Sequence, residues 1–132
     1  MYKRFKEFHN TDALAFGLKV LEIVHRKQLK PVRIRVFYDG DVVFQYLMDD
    51  KKGEEWLIRK QNTVFKTGHS GMYVYEHAEE YKELENDDNY VICGGGYPLY
   101  IDDTLKGAFI VSGLAHDEDH QLIVDALNEM EG

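Results

Sequence analysis

Val32-Arg33-Ile34-Arg35-Val36-Phe37-Tyr38-Asp39-Gly40-Asp41-Val42-Val43-Phe44-Gln45-Tyr46-Leu47-Met48 is the stretch whose reading decides the fold. Val32, Ile34 and Val36 alternate with Arg33 and Arg35, the period-two pattern of a strand with one wet face. Asp39-Gly40 then supplies a type I′ turn, which needs positive φ at both central residues. The return strand from Asp41 to Met48 carries Val42, Phe44, Tyr46 and Met48 on one face. Together these residues predict a β-hairpin from Val32 to Met48.

On the N-terminal side, Thr11 or Asp12 caps a helix expected from Ala13 to Lys27, with Leu14, Leu18, Leu21 and Val24 or His25 inward. Pro31 forbids its continuation. On the C-terminal side, Asp49 to Gly53 is a charged loop. A helix is expected from Glu54 to about Lys66, with Leu57, Gln61, Val64 and Phe65 on one side and Gly68 as its stop. Ser70 caps a further helix through Met72 to Leu84, and Glu83 to Asn89 forms an acidic loop. Tyr90 to Cys93 and Tyr97 to Ile101 read as extended, separated by Gly94-Gly95-Gly96. Asp102-Asp103-Thr104 turns the chain into a strand from Gly107 to Ser112. The last helix runs from His116 to Met130, with Ile123, Val124, Leu127 and Met130 inward. Hairpin connections predominate, so the expected fold is α/β of the α+β kind, an antiparallel sheet flanked by helices in one domain over residues 1–132.

The totals narrow the function classes. Hydrophobic residues make up 44% and aromatic residues 13% of 132 residues, enough for a real core. Sixteen basic against twenty-four acidic residues give a net charge of -8, which repels phosphate backbones and anionic lipid. Neither nucleic acid nor membrane is therefore an expected partner. The start MYKRFKEFHN holds no apolar run of signal-peptide length, and no stretch approaches a membrane span. The single cysteine, Cys93, forms no internal disulfide, which fits a reducing cytoplasm.

Three stretches share a further significance. Trp56-Leu57-Ile58-Arg59-Lys60-Gln61-Asn62-Thr63-Val64, Gly94-Gly95-Gly96-Tyr97-Pro98-Leu99 and Val111-Ser112-Gly113-Leu114 with Asp119-His120 match, in order and spacing, the W-x-x-R-K-x-N-T-V, GGG-[FY]-P and V-S-G-L…D-H patterns of one family. On them the chain resembles the haem-degrading domain family, the GlcG-like and HbpS-like proteins, from Ala13 to Leu127. The resemblance implies a profilin-like, PAS-like sandwich that self-associates into a homo-oligomer, at least a dimer. It further implies a haem or related tetrapyrrole as the ligand. In one respect the chain departs from the pattern: relatives of this subgroup usually carry His just before the triple glycine, where this chain has Cys93. Thiolate ligates iron, but it is a different acid–base group.

The same stretches hold the candidate ligand-binding residues: Arg59, Lys60, Asn62, Thr63, Cys93, Gly94, Gly95, Gly96, Tyr97 and His120. Arg59 and Lys60 are suited to meeting a carboxylate, or else form an ordinary solvated helix face. The glycines admit a ligand or a close-packed backbone. Cys93 or His120 offers an axial ligand; His120 also reads as a partly buried hydrogen-bonding residue. His116 and His120 stand four apart as metal ligands do, but no third ligand has suitable spacing, so no metal site is expected. His69-Ser70 lacks the geometry of a nucleophile with its base. No catalytic residue emerges. Two readings follow: a small-molecule-binding protein, for haem or a tetrapyrrole with conditional haem degradation, or a non-catalytic homo-oligomeric assembly module.

Overall fold

A computed structural model describes residues 2–51 and 56–130. Strand β1 (Arg4–Phe5), helix α1 (Asn10–Arg26) and the hairpin strands β2 (Arg33–Tyr38) and β3 (Asp41–Leu47) come first. Helices α2 (Leu57–Thr67), α3 (Gly71–Glu76) and α4 (Lys82–Glu85) follow, then β4 (Gly96–Ile101), β5 (Thr104–Ser112) and helix α5 (His116–Met130). The five strands form one sheet in the order β1-β4-β5-β2-β3. Every pairing is antiparallel except the short parallel contact of β1 with β4. The protein is thus a mixed α+β fold, a five-stranded sheet flanked by helices, as the alternation predicts.

The hairpin turns through Asp39 and Gly40 at φ +51° and +85°, the signs a type I′ turn requires. A bulge opposite Val36 and Phe37 breaks the alternation of β3. Phe44 lies opposite Val36 and Val42 opposite Phe37, so Val42 does not share the face of Phe44 and Tyr46. The central strand β5 is buried on both faces. Phe109 and Val111 enter the larger core with Phe16, Val20, Ile23, Ile34 and Ile123 beneath α1 and α5, while Ala108 and Ile110 meet Leu57 and Val64 of α2.

Helix α1 starts three residues before the expected Ala13 and turns a different side inward. His9 N–H donates to the Asp12 carboxylate at 2.7 Å, closing the first turn. Ala13, Phe16, Val20, Ile23 and Val24 are buried, whereas Leu14 and Leu18 stay 48% and 55% exposed. Both stripes have helical spacing; the larger Phe16 and the small Gly17, against which the Phe44 ring packs, decide between them. Ser70 does cap a helix, accepting Tyr73 N–H at 3.1 Å. That helix ends at Glu76, and the expected continuation to Leu84 is broken into a 3₁₀ turn over Ala78–Tyr81 and the short α4. Tyr90 to Cys93 joins no strand. For α2, the expected start at Glu54 lies outside the described residues. No helix among the described residues is long and apolar enough to cross a membrane.

Candidate functional site

A segment without regular structure must find partners for its backbone groups elsewhere. Residues 89–91 find theirs on α2. Arg59 donates from Nη2 and Nε to the Tyr90 carbonyl at 2.9 and 3.2 Å, with its guanidinium 4.6 Å from the centre of the Trp56 ring. Asn62 donates to the Asn89 carbonyl at 2.9 Å, and Thr63 Oγ1 accepts Val91 N–H at 3.1 Å. Three of the candidate residues therefore strap this segment to the helix.

Lys60 lies on the inward side of α2 and is 5% exposed. Its ammonium donates to the Val111 carbonyl at 2.9 Å and pairs with Asp119 at 3.1 Å. The other Asp119 oxygen accepts Leu114 N–H at 3.0 Å, so this carboxylate ties the start of α5 to α2 and to the loop after β5. Burial pushes the Asp119 carboxyl above its ordinary range, against the pull of Lys60 and the Leu114 and Gly113 amides. The solvated helix face considered for Lys60 is therefore not observed; desolvation on this scale demands the partner it has.

The triple glycine threads between these groups. Gly95 adopts φ +122°, and a Cβ there would collide with Lys60 and lie 2.6 Å from the Val111 carbonyl. Gly94 and Gly96 are pressed against the His116 backbone and Val64, respectively. Gly94 N–H donates to His116 Nδ1 at 3.0 Å, which leaves the proton of a neutral ring on Nε2.

Two clefts open around this arrangement. The first, about 610 Å³, is walled by Tyr2, Tyr73, Tyr97, His120, Val124 and Leu127, with Lys3, Arg4 and Glu76 also lining it. Its N-terminal wall is tied down by Tyr2, whose hydroxyl accepts Ser70 N–H at 2.9 Å, and by Tyr97, whose hydroxyl accepts Lys3 N–H at 2.9 Å. His120 Nδ1 is buried with no hydrogen-bond partner among the described residues. Burial lowers the His120 pKa, with Glu76 opposing, so the ring is neutral at pH 7.

The second cleft, about 420 Å³, is lined by Trp56, Lys60, Cys93, Ser112, His116 and Asp119, together with Lys51, Val91, Gly113 and Leu114. Burial raises the Cys93 thiol pKa, Lys60 pulling it down and Asp119 pushing it up; the neutral thiol is favoured over thiolate. His116 and His120 diverge: one serves this cleft and the other the first. The candidate residues are thus divided. Tyr97 and His120 line the first cleft, Lys60 and Cys93 the second, and Arg59, Asn62, Thr63 and the glycines support the walls. Sequence reasoning passed over Tyr2 and Ser112. Tyr2 carries no local signal, because only tertiary folding brings it to Ser70. Ser112 sits inside Val111-Ser112-Gly113-Leu114 and is legible as a polar residue ending a buried strand.

A UPF0303 protein of Psychromonas ingrahamii is 33% identical over 96% of this chain and 85% of its own length. The crystal structure of Ybr137w superposes with a TM-score of 0.79 at 24% identity, covering 96% of this chain and 82% of that one. A PduOC–haem complex superposes with a TM-score of 0.75 at 20% identity over 94% of both chains. The family model for haem-degrading HbpS-like proteins matches residues 8–128, from before α1 to within the last turn of α5. By that match and by its relatives, the chain belongs to the HbpS-like haem-degrading family.

Proposed function

We propose that the first cleft binds a tetrapyrrole of the haem class, and His120 is the observation that carries this reading. Buried polar atoms are nearly always paired, so an imidazole whose buried Nδ1 has no partner among the described residues, on a residue that lines a large cleft, supports a ligand engaging that ring. The residues fit the group. Burial keeps the ring neutral, the form that ligates metal. Tyr97, Val124 and Leu127 offer apolar surface, and the cations of Lys3 and Arg4 line the same cleft, where ligand carboxylates would meet them. A volume of about 610 Å³ is in the range of small-molecule sites. Membership of the HbpS-like family and the haem in the PduOC complex support the ligand class. When bound, haem would supply a redox-active iron; the chain's part is to hold it, through His120, and to shield one face from water. A cytoplasmic site of action belongs to the same reading, supported by the lone cysteine.

Haemin titration followed by absorption tests this. A saturable Soret shift that His120→Ala abolishes and Cys93→Ala spares is expected. Linear, nonspecific uptake, or full saturation in His120→Ala, would remove the assignment. Loss of the Soret band under a reductant in air would add degradation to binding.

A second reading, compatible with the first, is homo-oligomeric assembly through the β3 edge. β3 pairs on one side only, and Leu14, Leu18 and Tyr46 remain 48%, 55% and 46% exposed around it. An unpaired edge with apolar flanks is a surface that chains cover. Light scattering across a concentration series should give a mass above 15.4 kDa; a monomer throughout would sink this reading.

A further inference from the structure

The second cleft keeps hydrogen-bond donors that the fold itself does not use. Along β5, Ile110 faces α2 and Val111 faces the larger core, so alternation turns Ser112 toward α2 and the cleft it lines. Ser112 is 5% exposed, and its hydroxyl has no hydrogen-bond partner among the described residues. Lys60 gives two of its three ammonium hydrogens to Val111 and Asp119 and keeps the third. His116, whose Nδ1 accepts Gly94 N–H, carries its ring hydrogen on Nε2. Acceptors are scarcer. Both Asp119 oxygens are taken, by Lys60 and by Leu114 N–H, and the charges of the Lys60–Asp119 pair cancel. Lys51 also lines the cleft and has a partner of its own. What is left to select a ligand is therefore a set of donors, not a charge.

We infer that this cleft is a second binding site, separate from the tetrapyrrole cleft, for a small uncharged carbonyl compound of the amide or ketone class. The carbonyl oxygen has two lone pairs and accepts from the Ser112 hydroxyl and the remaining Lys60 N–H. The organic body lies against Val91 and Leu114, beside Trp56. An anion would put a second negative charge next to Asp119, whose counter-charge is already engaged, and a cation would meet Lys60. The volume of about 420 Å³ and the mix of apolar wall with a few donors suit a ligand of this class. None of these residues lines the first cleft, so the site stands whether or not a tetrapyrrole binds there.

Trp56, the only tryptophan of the chain, and Cys93, its only cysteine, both line the cleft and give two independent readouts. Cyclohexanecarboxamide, which does not absorb where tryptophan does, should change Trp56 emission saturably. Over the same concentrations it should slow the reaction of the Cys93 thiol with an aromatic disulfide reagent. Cyclohexanecarboxylate and cyclohexylmethylamine, close in shape but charged, should do neither at those concentrations. Ser112→Ala removes no hydrogen bond of the fold and leaves the Lys60–Asp119 pair intact. It should weaken the amide about fivefold, the loss expected for one hydrogen bond between uncharged groups. His120→Ala should leave amide binding unchanged. No saturable response to the amide, a charged analogue binding as tightly, or an affinity that falls in His120→Ala rather than in Ser112→Ala would each overturn the inference.

Discussion

The two clefts share helix α5 but differ in how their polar groups are satisfied. Asp119 and His120 are neighbours in sequence, yet about 100° of helical rotation sends them to different cavities. In the second cleft, the Asp119 carboxylate is held by Lys60 and Leu114, so this wall is locked by partners within the fold. In the first, His120 Nδ1 has no partner among the described residues, and the facing wall is an N-terminal segment held by two tyrosine hydroxyls. One cavity is built around a completed network, the other around an open valence. The difference teaches that two neighbouring buried polar groups on one helix can be satisfied quite differently, one by a charge partner within the fold and the other by none among the described residues.

The comparison breaks most readily at Lys60. Lys60→Met should destabilise the fold by about 3–5 kcal/mol, because it leaves Asp119 buried without its counter-charge. Adding Asp119→Asn should recover part of that loss, since the amide oxygen still accepts Leu114 N–H. Urea denaturation midpoints of the three proteins decide this. A loss below about 1 kcal/mol for Lys60→Met would mean the second cleft is not locked, and the contrast between the clefts would fall.

A smaller effect sharpens the other side. Tyr2→Phe removes the acceptor for Ser70 N–H and the contact of its hydroxyl with His69 Nδ1 at 3.1 Å. The cost should be about 1 kcal/mol, the usual net worth of such a bond. Hydrogen exchange should quicken at Arg4 and Phe5 while Lys60 and Val111 stay protected. Equal quickening in both places would show that the two clefts are coupled rather than separately walled.

How much of this was legible depends on how local each determinant is. The hairpin, the Ser70 cap and α5 are written in neighbouring residues, and the structure has them. The inward face of α1 was not, because Leu14 and Leu18 mimic a core stripe while Gly17 and Phe44, distant in sequence, set the packing. The polar residues of α2 were legible as a cluster. Their division was not: Arg59, Asn62 and Thr63 reach residues 89–91, whereas Lys60 turns under the sheet to a carboxylate 59 positions away. Spacing on a helix reveals which residues share a face and says nothing of what covers it.

The smallest expected effect tests whether His120 is as isolated as its missing partner implies. In the fold its pKa lies below 6.5 because burial penalises the charged ring, with Glu76 of α3 opposing; Lys3 and Arg4 line the same cleft and add no stabilisation of a cation. The unfolded chain therefore binds the proton first as pH falls. Well above pH 6.5 the ring is neutral in both states and contributes no pH dependence. Below that, stability should decline until pH reaches the folded-state pKa. His120→Gln, which cannot titrate, should flatten this part of the curve relative to the parent. If the two curves run parallel between pH 7 and pH 5, measured by thermal unfolding, the ring has a proton-sharing partner in solution, and the open valence that distinguishes the first cleft disappears.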